Sequence, residues 1–105
     1  MAVTELKDQA WREFSQAEYA VIDCYGENCF ACVLLAPIFD AAADALPGVA
    51  FGRVNISFSP DIADTFGIDA MPTLLYFRRG QLVDRTVGSM EREDLLGQLS
   101  KLLYE

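Results

Sequence analysis

The 105-residue chain has no histidine, three cysteines, and eight lysines and arginines against sixteen aspartates and glutamates. With no histidine and so few thiols, a zinc site of four ligands within one chain is short of donors. A net charge of −8 argues against nucleic acid and against an anionic membrane as partners, since either would need a basic face to displace counterions. The acidic balance reads instead as a solubilising surface. No stretch reaches the ~18 apolar residues that a membrane-spanning helix needs. The opening MAVTELKDQAWREF carries charges throughout and has no basic segment ahead of an apolar run, so it does not read as a secretory leader. The expected compartment is therefore the cytoplasm, where thiols are kept reduced and cysteines are reactive or buried rather than a structural disulfide framework. Repeats, low-complexity tracts and linkers are also missing. The 52% hydrophobic content suffices for one packed core, so a single domain over residues 1–105 is expected, as a monomer.

The remaining pattern alternates strands and helices. TELKDQAWREFSQ places Leu6, Ala10, Trp11 and Phe14 near helical spacing and predicts a short helix with Asp8 as its cap, after a brief strand near Val3. YAVIDCY is a nearly continuous apolar run, the pattern of a strand covered on both faces. A tight loop leads from it into CFACVLLAPIFDAAADAL, a long helix interrupted by Pro37 and ended by Pro47-Gly48. VAFGRVNI predicts a second buried strand, parallel to the first across that helix. SPDIADTFGI predicts a short helix opened by Ser59-Pro60 and closed at Gly67. Two apolar runs separated by Arg79-Gly80 predict a hairpin, and Leu95, Leu96, Leu99, Leu102 and Leu103 mark one face of a final helix starting at Ser89. The fold class is α/β, a mixed sheet of four or five strands with helices on both faces.

Within this order, NCFAC sets Cys29 and Cys32 three positions apart where a buried strand gives way to a helix. Such spacing serves redox pairs, metal sites and inert core thiols alike. The position favours the first reading, because unpaired N–H groups and the helix dipole stabilise a thiolate at Cys29, while Cys32 lies one turn on at a separation compatible with a disulfide.

The sequence resembles the thioredoxin family almost end to end, through VTEL, VIDCYGENCFAC, RVNI, FGIDAMPTLLYFRRGQ and VGSMEREDLLGQL. Pro37, Met71-Pro72-Thr73, Gly80 and Gly88 fall where that family has their counterparts. The resemblance implies a thioredoxin fold with four flanking helices. It makes Cys29 the attacking thiol, Cys32 the resolving thiol, and Asp23 the buried acid that helps deprotonate Cys32. Met71 and Pro72 then form a substrate-facing turn with a cis bond, bordered by Gly88, and Arg53 stands near the buried acid. The implied activity is reduction of disulfides in protein substrates. No cofactor would be bound, and electrons would arrive from NADPH through a thioredoxin reductase.

The match breaks at the site itself. A common thioredoxin has Trp-Cys-Gly-Pro-Cys, so Asn28 removes an aromatic platform that Phe30 partly replaces, and Ala31 restores a backbone donor. Glu27 and Asp69 add negative charge to the rim. Cys24 stands where the family has an apolar residue and should face away from Asp23, as a small buried hydrophobe or as a third redox thiol. The changed dipeptide keeps other tasks open: an oxidase, isomerase or glutathione-coupled enzyme, or a binding module with auxiliary thiols.

Overall fold

The structure, a computed structural model, describes residues 2–105; Met1, the first residue of the expected domain, lies outside the described residues. Nine elements follow in the order β1 (Val3–Leu6), α1 (Ala10–Phe14), β2 (Tyr19–Tyr25), α2 (Phe30–Ala45), β3 (Ala50–Asn55), α3 (Asp61–Phe66), β4 (Thr73–Arg78), β5 (Gln81–Val87) and α4 (Arg92–Tyr104). The strands form one mixed sheet in the order β1-β3-β2-β4-β5. β3 runs parallel to both β1 and β2, whereas β4 is antiparallel to β2 and to β5.

Side chains alternate across each strand, and the two sets are buried by different helices. Val21, Phe51, Leu74 and Tyr76 meet Leu35 and Phe39 of α2 and Leu95, Leu99 and Leu102 of α4. On the opposite face Ala20, Ile22, Cys24, Val54, Leu75 and Phe77 meet Trp11 of α1 and Ile62 of α3. Covering both faces explains why YAVIDCY is apolar almost throughout: its five central residues are all buried. Trp11 anchors α1 as its spacing suggested, with its ring N–H donating to Asp61 Oδ2 at 2.8 Å.

The brief strand near Val3 is present as β1, which takes Leu6 out of the expected helix. Asp8 does not cap α1. It adopts a left-handed backbone (φ 55°) and its N–H donates to Ser59 Oγ, while the helix begins two residues later behind Gln9. The last helix starts at Arg92 rather than Ser89, because Gly88 turns left-handed (φ 93°) and Met90 is drawn back onto the core. Pro37 does lie within α2, and its missing N–H interrupts the hydrogen-bond ladder of that helix.

The hairpin turn is the two-residue loop expected. Arg79 and Gly80 both have positive φ (51° and 86°), the backbone that joins antiparallel strands without splaying them. A β-carbon on Gly80 would also run into the Gln16 amide, and the Gly80 N–H donates to Ser15 O at 2.8 Å. Gly80→Ala is therefore expected to destabilise the protein by about 1–2 kcal/mol. Urea denaturation checks this, and a loss well below that range would show that the turn relaxes to accept the side chain.

Candidate functional site

The loop after β2 sets up the cysteine pair. Asn28 takes a left-handed conformation (φ 55°), which asparagine tolerates better than most residues, and so reverses the chain into α2. Cys29 follows with an extended backbone as the N-cap of the helix. Its sulfur accepts the Cys32 N–H at 3.2 Å, and its carbonyl accepts the Val33 N–H at 3.2 Å. No bond joins the donor restored at Ala31 to that sulfur among the described residues. Cys29 and Cys32 form a disulfide with their Cα atoms 5.3 Å apart. The two sulfurs are unequal, since Cys32 is buried and Cys29 is partly exposed. A reduced Cys29 in this position meets a backbone donor and the positive end of a 16-residue helix, both of which favour negative charge on sulfur.

Facing this loop is the turn before β4. The Met71-Pro72 bond is cis, and the Pro72 carbonyl accepts the Gly88 N–H at 2.8 Å, which ties the end of β5 to the turn. The Met71 thioether lies against Gly26, where any β-carbon would meet it and Ser57 Oγ as well. Gly26 thus lets the Met71-Pro72 turn close on the loop that carries Cys29. In the sequence it reads only as a loop residue; its signal is the meeting of two loops 45 residues apart, which has no local trace.

Asp23 is buried, and its Oδ1 finds no hydrogen-bond partner among the described residues. It shares the α2 side of the sheet with Val21, two positions away on β2. Burial raises its pKa from 3.8 to about 7; the Arg53 charge opposes this, while Asp40 and Glu5 add to it. Arg53 stands opposite Asp23 in the β2/β3 register, and its guanidinium pairs with Asp40 of α2 at 2.9 Å. The expected link between Arg53 and the buried acid is therefore electrostatic, and its direct partner is Asp40, which sequence reasoning missed.

A cleft of about 610 Å³ opens beside the disulfide, between Tyr25, Glu27, Phe30, Val33 and Arg53. Tyr25 was also missed: its hydroxyl donates to Glu5 at 2.8 Å, and desolvation together with that carboxylate pushes its pKa up to about 12. Phe30 is 76% exposed, so it stands out from the site rather than folding onto the core. Glu27 lies on the rim and accepts the Asn55 amide at 3.0 Å; Asp69 is exposed but does not line the cleft. Cys24 is fully buried on the opposite face, and desolvation first, then the neighbouring Asp23 charge, push its thiol up to about 12. That environment suits a small core residue and leaves little thiolate for chemistry. Among the described residues, no three histidine, cysteine or acidic side chains gather as a metal site would require.

Comparison with known proteins points the same way. The thioredoxin family model matches residues 2–101. The chain is 36% identical over 81 residues to a thioredoxin of Chlamydia muridarum, covering 77% of this chain and 79% of that one. It is 33% identical over 101 residues to a thioredoxin of Mycoplasma pneumoniae, covering 94% and 99%. The crystal structure of a Malassezia sympodialis thioredoxin superposes with a TM-score of 0.86 at 27% identity, covering 94% of this chain and 89% of that one.

The unpartnered Asp23 yields a pH test. In the unfolded chain the carboxyl ionises above about pH 4, but in the fold it stays neutral until about 7, so its cost to stability grows across that window and is constant above it. Asp23→Asn is expected to match the wild type near pH 4 and to be more stable above pH 7, by at most about 4 kcal/mol. Denaturant titrations at pH 4 and pH 8 check this, and a difference that does not change with pH would contradict it.

Proposed function

The chain belongs to the thioredoxin family, and from that premise we propose that it reduces disulfides in protein substrates through Cys29 and Cys32. That it is a thiol–disulfide oxidoreductase follows from the family and from the Cys29–Cys32 disulfide. The observation that most supports the roles of the two cysteines is the asymmetry of the pair, one sulfur reachable at a helix N-terminus and one buried behind it.

Reduced Cys29 attacks one sulfur of the substrate disulfide as the thiolate. The substrate S–S bond breaks, one substrate sulfur leaves as a thiolate, and a mixed disulfide links the other to Cys29. Asp23, which titrates near neutral pH on the same side of the sheet, accepts the proton of Cys32. The Cys32 thiolate then attacks Cys29, the Cys29–Cys32 bond forms, and the second substrate sulfur is released and protonated. Two electrons have passed from the dithiol to the substrate.

In this reading the Met71-Pro72 turn, Gly88, Asn28 and Phe30 form the surface that receives the substrate segment. The dithiol is restored by a thioredoxin reductase drawing on NADPH, and the protein works as a monomer in the cytoplasm, where such reducing systems operate. Ala31 and Phe30 between the cysteines support a second reading, as an oxidase or isomerase, because hydrogen bonding around the pair sets its potential and about 30 mV corresponds to 1.4 kcal/mol.

Cys29→Ser is expected to lower insulin disulfide reduction by about two orders of magnitude or more, because the attacking group is gone. Cys32→Ser is expected to stall at the mixed disulfide, visible by mass spectrometry as a covalent adduct on Cys29. Reduction of insulin by Cys29→Ser at an undiminished rate would overturn the mechanism.

A further inference from the structure

The outward face of α2 is apolar from its first residue. Phe30, Val33 and Leu34 are 76%, 66% and 49% exposed, and Pro37 one turn further is exposed as well. Positions i, i+3, i+4 and i+7 share one side of a helix, so these residues form a stripe about 10 Å long that begins beside Cys29. A helix facing water ordinarily carries charge there, yet α2 has no charged residue before Asp40.

Clefts flank this stripe on both sides, and the far wall of each carries carboxylates. The cleft of about 610 Å³ sets Phe30 and Val33 opposite Glu5 and Glu27. The second, of about 510 Å³, sets Leu34 and Ile38 opposite Glu91 and Asp94. Among the described residues none of these four carboxylates is paired with a cation; Glu5 and Glu27 accept only the neutral Tyr25 hydroxyl and Asn55 amide. Arg53, the cation in the first cleft, is already held by Asp40 at 2.9 Å.

We propose that this face is a docking surface for disulfide substrates in which apolar residues near the reactive cysteine are flanked by lysines or arginines. The proposal rests on Cys29 as the attacking thiol and adds a selectivity beyond the Met71-Pro72 turn. Apolar side chains of the partner cover Phe30, Val33 and Leu34, and its cations meet the carboxylates on either side. Charge complementarity chooses this occupant. A second copy of the chain is a poor one, because a symmetric contact would set the same four carboxylates against each other between molecules of charge −8.

Two ten-residue peptides test it, each with one cysteine joined as a mixed disulfide to 5-thio-2-nitrobenzoate and followed by two leucines, then by three lysines in one and three glutamates in the other. The reduced protein is expected to react with the lysine peptide about tenfold faster at low salt, an advantage that shrinks severalfold near 0.5 M salt. Val33→Ser/Leu34→Ser should lower the lysine-peptide rate about fivefold, and Leu34→Ser alone, outside the cleft beside the disulfide, should lower it about twofold and leave the rate with 5,5′-dithiobis(2-nitrobenzoate) unchanged. Glu91→Gln/Asp94→Asn should reduce the lysine preference more than Glu13→Gln/Asp64→Asn, which removes the same charge from the α1 and α3 side.

Equal rates for the two peptides, stripe variants that behave as wild type, or a preference reduced equally by both charge pairs would overturn the proposal. So would a dimer in sedimentation that Val33→Ser/Leu34→Ser abolishes, since the occupant would then be a second copy. A reduced protein unreactive even toward the small reagent would overturn the reading of Cys29 itself, and the docking surface with it.

Discussion

Asp23 sits where an unpaired carboxyl is costly, inside the sheet beneath the helix that carries the disulfide, and much of the site's arrangement depends on how that cost is met. Strand alternation leaves no choice of face. With Ile22 and Cys24 packed toward α1 and α3, the residue between them must point toward α2. Remaining neutral to about pH 7 reduces the cost, and the charge of Arg53 across the strand pair keeps the ionised form within reach. The result is a group that exchanges a proton near neutrality, held on the same side of the sheet as Cys32. A fully solvated carboxylate would be ionised long before that pH and would be a much weaker acceptor of a thiol proton.

Two loops from distant parts of the chain also meet at Gly26. One carries Asn28 and Cys29 off the end of β2; the other carries Met71 and Pro72 into β4. Because β2 and β4 are hydrogen-bonded neighbours, their ends bring the loops together. Closure then depends on the absence of a side chain at Gly26, which Met71 occupies, and on the Gly88 N–H that holds the Pro72 carbonyl. The partly exposed Cys29 sulfur is thus placed by the rigid sheet and not by the loops alone.

Features governed by local rules were legible in the sequence. The apolar run of β2, the Arg79-Gly80 turn, the closure of α3 at Gly67 and the leucine face of α4 each follow from spacing or from a residue's own backbone preference. Helix starts were less legible. Asp8 and Ser89 have the right chemistry for caps, but tertiary contacts used the Asp8 N–H elsewhere and let Met90 reach the core before the helix begins. At the site, Cys29 and Cys32 announce themselves by spacing, and an aspartate inside YAVIDCY by its incongruity. The pairs Tyr25–Glu5 and Arg53–Asp40, and the contact of Met71 with Gly26, join residues at least 13 positions apart and leave no pattern in either segment.

Family membership establishes thiol–disulfide exchange, and Phe30 and Ala31 stand between the paired cysteines of this protein. The central claim is that the Cys29–Cys32 pair runs as a reductant. Its reduction potential tests that claim most directly, measured by equilibrating the protein in graded thiol–disulfide buffers and trapping free thiols for mass spectrometry. The account predicts a value near the ~−270 mV of thioredoxin. A value near the ~−180 mV of protein disulfide isomerase, or higher, would contradict it and make the protein an isomerase or oxidant.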